Sequence, residues 1–459
     1  MRTLENEAGL TRKPGFGTTL VTNAVLVNPG LPPTVVERGW LAFAGERITA
    51  LGPHEPPVEL LHGAHVVVDG CGGILMPGLV NAHTHAAMSL LRGLADDLPL
   101  KEWLEGHIFP AEAKAVDEDF VYWGTLLACG EMILSGTTTF ADGYFYEDSA
   151  MEAARSSGMR AVLAQGVLDF PVPGCPDPSF NIENAIGFLN RSWGEEPLRP
   201  AIFCHSPYTC SAETLQKAKE ACRVHHALFF IHVAETKEEL ALVEAKYGLS
   251  PLKHLAKLGL LDKETVLVHG VWLGDSDIEV LADSGAALVI CTESNMKLAS
   301  GIAPLTKLLA KQVTLGLGTD GAASNNDLDL FSEMDLTAKL HKLAHLDPTV
   351  VKAADVLYMA TRGGALSLGL QEVGLLEPGF QADLILLATD RPHMQPLYNP
   401  VSQLVYSAKG SDVERVWVRG QELLRRRCLL NMDIQEIKKW ARRLAKRVQP
   451  NRAIQSALP

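Results

Sequence analysis

Short apolar runs separated by longer stretches with helical spacing dominate the chain from Ile74 onward. Eight runs stand out: Ile74 to Asn81, Thr137 to Asp142, Arg160 to Gln165, Ala201 to Cys204, Leu228 to Val233, Thr265 to Val268, Ala287 to Cys291 and Val313 to Thr319. Apolar runs of this length, alternating with helix-like segments, are the signature of repeated β-α units, and eight in series predict a closed (β/α)8 TIM barrel. Before Ile74 the texture differs. Thr18 to Val27, Trp40 to Leu51 and His65 to Asp69 are short strand patterns separated by turns. β character returns after the barrel in Gly374 to Asp390 and Val413 to Leu430, with turns at Pro378-Gly379 and Arg419-Gly420. The simplest arrangement lets the returning chain complete the N-terminal unit as a small β-sandwich domain. The expected division is 1–73 and 374–430 for that domain, 74–373 for the barrel, and 431–459 for a C-terminal helix and tail. That helix, from about Asp433 to Val448, sets Ile434, Ile437, Trp440, Ala441 and Leu444 on one face and its lysines and arginines elsewhere. Such a pattern is expected of a terminal helix docked on the body with a solvated basic face.

Length and composition narrow the function classes. A chain of 459 residues, 47% hydrophobic and 21% charged, can bury a large core. A formal charge of -13 argues against nucleic-acid binding, which depends on cationic side chains neutralising phosphates, but leaves nucleosides and other small molecules open. Eight scattered cysteines show neither metal-ligand pairing nor a disulfide framework, so they read as free thiols of a reducing compartment, with the cytoplasm as the expected location. The stretch from Met1 to Gly17 has no apolar core resembling a signal peptide, and no later run is long enough to cross a bilayer, so no membrane partner is expected.

The chemistry concentrates at the strand ends. In Asn81-Ala82-His83-Thr84-His85 the two histidines are two residues apart, so a strand projects both to one side, where they can share a metal ion. By itself the pair is weak evidence, since a single histidine is more often a hydrogen-bonded core residue. The partners decide it: His205 follows run four, His232 ends run five, His269 follows run six and Asp320 follows run eight. Packing gives no reason for such residues to gather at one end of five different strands, whereas the C-terminal face of a barrel is where catalytic groups converge. His83, His85, His232 and Asp320 form a ligand set suited to Zn2+, and iron would also be accepted. Such an ion lowers the pKa of water and makes hydroxide available near neutrality. Glu235, three residues after His232, can exchange protons in the same cavity, and His269 is a second proton carrier or an electrophile. Run four ends without a lysine that could bridge two metals, so one ion is expected.

These motifs carry a resemblance. The runs Pro77-Gly78-Leu79-Val80-Asn81-Ala82-His83-Thr84-His85, His205-Ser206-Pro207-Tyr208-Thr209, His232-Val233-Ala234-Glu235-Thr236, His269-Gly270, Ser294-Asn295-Met296-Lys297-Leu298 and Gly318-Thr319-Asp320-Gly321-Ala322-Ala323-Ser324-Asn325-Asn326 resemble the amidohydrolase superfamily. Within it the sequence is most similar to the 5'-methylthioadenosine/S-adenosylhomocysteine deaminase group, over nearly the whole chain. The resemblance implies metal ligation by His83, His85, His232 and Asp320, and proton handling by Glu235, His269 and Asp320. It also implies hydrogen bonding of the purine or ribose side by His205, grip on the ribose hydroxyls by Glu112 in Phe109-Pro110-Ala111-Glu112, and a pocket wall at Trp103. The implied reaction is hydrolytic deamination of the adenine ring of a 5'-modified adenosine, and the implied assembly is a homo-dimer or tetramer. Another hydrolase of the same scaffold, such as a triazine chlorohydrolase or a guanine deaminase, is the alternative.

Two departures stand out. Some members of the group place arginines after strand three and in the next loop, suited to the amino-acid carboxylate of S-adenosylhomocysteine. Here the strand-three position is Gln165, Pro171 to Glu183 contains no arginine, and Arg191 is the nearest. A neutral 5' group is therefore expected. Cys291-Thr292-Glu293 also lacks the proline expected at 292.

Overall fold

In the computed structural model, which describes residues 17–192 and 196–448, eight parallel strands follow one another around a barrel: Leu79–Thr84, Thr137–Tyr144, Arg160–Val167, Leu198–Cys204, Phe229–Val233, Thr265–His269, Ala287–Ile290 and Leu315–Leu317. They are buried on both faces, which is why they read as continuous apolar runs instead of alternating ones. Val80, Ala82, Val162, Ala164, Phe203, Phe230, Val266 and Val289 fill the interior. A second apolar layer packs the helices against the outside.

The eighth strand returns to the first through a polar seam. Asn81 donates from Nδ2 to Thr319 Oγ1 at 2.8 Å and accepts the Thr319 N–H on Oδ1 at 3.0 Å. One residue later the Asp320 N–H donates to the His83 carbonyl at 3.1 Å. Gly318 lies so close to His83 that a Cβ would meet its carbonyl oxygen at 2.8 Å, so the approach requires glycine.

One expected strand divides in two. Ile74–Pro77 pairs with Leu384–Leu387 in the terminal sheet, and only Leu79–Thr84 enters the barrel. Gly78 makes the switch, where any Cβ would meet Thr138 Oγ1 at 2.1 Å. The Trp40 to Leu51 run is likewise a hairpin, Thr34–Ala44 with Arg47–Pro53, turning at Gly45 with φ of 57°. The terminal strands interleave in one nine-stranded sheet, in which Thr18–Asn28 pairs with Ile74–Pro77 and the returning strands Leu384–Leu387, Val413–Val418, Gln421–Arg425 and Cys428–Leu429 extend the order. Its core is Val21, Leu41, Phe43, Ile48, Leu384 and Trp417.

The last helix, Ile434–Val448, docks as expected. Ile437 and Leu444 are buried, and Trp440 stacks on Trp123 of helix Glu118–Leu134 at 4.9 Å between centroids. Arg447 pairs with Asp117 at 2.7 Å, and Lys438, Lys439 and Arg442 face solvent. Among the described residues no helix is long and apolar enough to cross a membrane. Residues 1–16, which hold the charged N-terminal stretch, and the tail 449–459 lie outside the described residues.

Sheet and barrel are tied by Arg160, whose Nε donates to Asp383 Oδ2 at 2.8 Å. Both side chains are buried, and the other Asp383 oxygen accepts the Arg419 N–H at 2.7 Å. Removing one partner of a buried pair strands the other charge. Asp383→Ala is therefore expected to cost about 3–5 kcal/mol, read from the denaturant midpoint of unfolding.

Candidate active site

Above the C-terminal ends of the strands lies a cavity lined by His85, His205, His232, Glu235, His269 and Asp320 at its floor. Leu100, Trp103, Leu104, Ile108, Phe109, Phe145, Leu168, Tyr208 and Leu298 form its apolar walls, and Glu112 is the one carboxylate among them. All nine residues singled out from the sequence are brought together here: eight line the cavity, and His83 lies directly beneath, its ring 4.8 Å from that of His85.

The donor atoms of His83, His85, His232 and Asp320 lie within 4.8 Å of one another. His83 Nε2 is 3.3 Å from His232 Nε2 and 3.4 Å from Asp320 Oδ1, and His85 Nε2 is 3.2 Å from the same oxygen. Tetrahedral donors at the ~2.0–2.1 Å typical of zinc stand about 3.3–3.4 Å apart, so the set fits an ion of that size. Burial first, then the neighbouring His85 and His269, lowers His83 to about 4, against the pull of Asp320. His232 is pushed well below its usual value by burial and the surrounding imidazoles. Both favour the neutral form, whose lone pair a cation needs. For Asp320, burial opposes the charge, but contact with His83 and His85 overrides it and keeps the carboxyl ionised.

Neighbours that the sequence reading had given no role orient these donors. Asp320 Oδ2 accepts from Ser294 Oγ at 2.7 Å and Ser324 Oγ at 3.0 Å, which turns Oδ1 toward the histidines. His85 Nδ1 donates to the Gly143 carbonyl at 2.5 Å, leaving Nε2 to face the cluster. Asn295 Oδ1, at 3.0 Å, accepts from His269 Nδ1, so Nε2 points toward Glu235 Oε2 at 3.8 Å. His269 and Asp320 both adopt left-handed backbone, with φ of 74° and 62°. Such conformations are costly for residues other than glycine and gather where function dictates side-chain direction.

Glu235 lies just past the end of strand Phe229–Val233 and outside the helix that follows. The helix Lys237–Tyr247 begins after it, capped by Thr236, which accepts the Glu239 N–H at 3.2 Å. Buried Glu239 takes the N–H groups of Ala234 and Glu235, each at 2.8 Å, and holds this corner in place. The sequence signal was there: Thr236 and Glu239 have the spacing of a capping box, although the Glu239 carboxylate reaches further back, to Ala234 and Glu235. Burial raises the Glu235 carboxyl above its ordinary value, suiting it to carry a proton. His205 is lowered to about 4, first by burial and then by the other imidazoles, and its Nδ1 lies 3.0 Å from Thr209 Oγ1. Thr292 also has a local account. Its N–H donates to buried Glu333, a bond that the expected proline could not make.

The amidohydrolase family model matches residues 74–423, three quarters of the chain. The chain belongs to the amidohydrolase family. A 5-methylthioadenosine/S-adenosylhomocysteine deaminase of Syntrophobacter fumaroxidans is 48% identical over 418 residues, covering 90% of this amidohydrolase and 94% of that protein. A 5'-deoxyadenosine deaminase of Methanosarcina mazei is 42% identical over 442 residues, covering 94% and 99%. Among solved structures, an adenosine deaminase from Xanthomonas campestris with bound zinc superposes with a TM-score of 0.90 at 36% identity, covering 94% of this amidohydrolase and 98% of that chain.

If the four donors hold an ion, zinc added to chelator-stripped protein at about a thousand times its dissociation constant is expected to stabilise the fold by ~4 kcal/mol, read as a rise in Tm. His232→Ala is expected to abolish that rise while leaving the stripped protein folded.

Proposed function

We propose that this chain hydrolyses the 6-amino group of 5'-modified adenosines, with 5'-methylthioadenosine, 5'-deoxyadenosine and adenosine as substrates, giving the inosine analogue and ammonia. The observation that carries the reading is the joining of a four-donor cluster, two proton-carrying groups and a remote buried carboxylate in one otherwise apolar cavity. The relatives support the same chemistry. Zinc is the proposed ion, held by His83, His85, His232 and Asp320, with iron as the second choice. When bound, it supplies a nucleophilic water at neutral pH.

The chain's own groups do the rest. Glu235, buried and raised in pKa, gives a proton to N1 of the adenine as water adds to C6. Asp320 accepts the proton that the water loses. His269 Nε2, directed by Asn295, steadies the oxygen developing at C6. Asp320 then passes its proton to the exocyclic amine, ammonia leaves, and the C6 hydroxyl returns its proton to Glu235 as the C6–O bond becomes the carbonyl of the product. Glu112 accepts the vicinal ribose hydroxyls, His205 bonds the purine or ribose side, and Trp103 walls the pocket with its indole N–H satisfied by the Ala95 carbonyl at 3.0 Å.

The 5' end meets apolar side chains. None of the described residues lining the cavity is lysine or arginine. Gln165 instead accepts the Glu147 N–H at 3.3 Å, and Arg191 is engaged by Asp148 at 2.6 Å. This supports a preference for neutral 5' groups over the zwitterionic tail of S-adenosylhomocysteine. All eight cysteines are unpaired, in keeping with a reducing compartment, and we place the enzyme in the cytoplasm. Assembly into dimers or tetramers is part of the same reading.

Glu235→Gln is expected to lower kcat for 5'-methylthioadenosine by at least ~10³-fold while metal content stays at the parent level, because the proton carrier is lost and the ligands are kept. In a comparison of kcat/KM, 5'-methylthioadenosine is expected to exceed S-adenosylhomocysteine by about tenfold or more, the scale set by one unmatched charged group. Equal values would refute the neutral-group preference. Turnover of triazines or guanine in place of all adenosines would favour the alternative hydrolase.

A further inference from the structure

Barrel strand two ends in Gly143-Tyr144, and these two adjacent residues reach opposite parts of the site. The Gly143 carbonyl takes the His85 Nδ1 proton at 2.5 Å. A side chain at 143 is excluded, since a Cβ would meet the Phe203 ring at 2.4 Å. The Tyr144 hydroxyl donates to Glu112 Oε1 at 2.6 Å. Both side chains are buried, at 4% and 5% exposure, and both line the cavity. Among the described residues Tyr144 is the sole hydrogen-bond donor to that carboxyl.

Glutamate is a long side chain with several rotatable bonds. Glu112 stands on the short helix Phe109–Ala115, next to the wide turn Trp103–Ile108. Without an anchor its carboxyl would sample several rotamers in a largely apolar chamber, and every substrate would have to order it. A phenol at 2.6 Å on one oxygen fixes the plane of the carboxyl and leaves the other oxygen for a ligand. Burial and the nearby Glu112 charge keep the phenol protonated, so it acts only as the donor in this pair. On the proposed function, the free oxygen is the one that meets the ribose hydroxyls.

We propose that Tyr144 is a positioning residue for sugar recognition: by holding Glu112 Oε1 it presents Oε2 to the vicinal diol of the nucleoside. This inference rests on the proposed deaminase reading and adds a residue that neither the sequence motifs nor the metal cluster had assigned. It also makes the end of strand two a common brace for the metal end and the sugar end of the cavity.

The test is Tyr144→Phe, which keeps the ring and removes the hydroxyl. Steady-state kinetics would be compared on adenosine and 2',3'-dideoxyadenosine, with Glu112→Gln and the double variant measured in parallel. For Tyr144→Phe the expected result is a rise in KM for adenosine of about tenfold, the scale of a hydrogen bond to a charged group. The kcat should change less than about twofold, KM for the dideoxy substrate should stay at its parent value, and metal content should be unaltered. In the Glu112→Gln background the Tyr144→Phe change should have no further effect on KM, because the hydroxyl acts through that carboxyl. An equal loss on both sugars, an unchanged KM for adenosine, or a full additional loss in the double variant would each overturn the proposal. Failure of the underlying reading has a different appearance: Glu112→Gln itself would then fail to distinguish the two sugars, or the parent enzyme would deaminate neither.

Discussion

Closure between the first and eighth strands is the constraint on which the site depends. His83 and His85 come from one side of that seam and Asp320 from the other, so the donor cluster exists only where the barrel shuts. The closing contacts are polar and buried: Asn81 grips Thr319 in both directions, and the Asp320 N–H returns to the His83 carbonyl. A buried amide with a matched donor and acceptor specifies register as an apolar contact cannot, because a slipped strand would leave its polar groups unpaired. The glycine at 318 then allows the two backbones to come close enough for the carboxylate to reach both imidazoles.

From that seam outward, the site is a sequence of fixed directions. Serines 294 and 324 take one Asp320 oxygen, Gly143 takes the outer nitrogen of His85, and Asn295 takes the outer nitrogen of His269. Each bond removes one orientation of a group that could otherwise rotate or change tautomer, and the remaining atoms face one another. Low polarity then sets the protonation pattern. Burial keeps His83, His205 and His232 neutral and raises Glu235, whereas contact with His83 and His85 holds Asp320 ionised, and Asp320 in turn, against burial, lifts His85 to about 9. On the proposed reading, the same cavity therefore holds the donor set and an acid, Glu235.

Much of this was legible in the sequence, for physical reasons. Strands buried on both faces leave continuous apolar runs, so the barrel was visible. Histidines and carboxylates at the ends of those runs had no packing reason to be there, so the cluster was visible too. The misplaced features have local causes. Ile74 to Asn81 reads as one strand because its apolar pattern is unbroken, yet Gly78 moves the chain from one sheet to another, and the steric demand of Thr138 is a tertiary fact. Trp40 to Leu51 hides a hairpin because only the short stretch Gly45-Glu46-Arg47 interrupts the apolar pattern. The orienting residues were hidden for another reason. Ser294, Ser324, Asn295 and Tyr144 are ordinary residue types whose importance lies in which atom they meet, and strand seven, given no role beforehand, contributes two of them through its following helix. Glu239 was the exception, announced by its capping-box spacing with Thr236.

The central claim is that water replaces the amine on an intact nucleoside. Mass spectrometry of 5'-methylthioadenosine incubated with the metal-assayed enzyme in water enriched in heavy oxygen tests it most directly. The account predicts an intact nucleoside product in which one nitrogen has been exchanged for one oxygen, that oxygen carrying the solvent label, with ammonia released in equal amount. Free adenine, a product cleaved at the 5' sulfur, or unchanged substrate with metal bound at the site would contradict it.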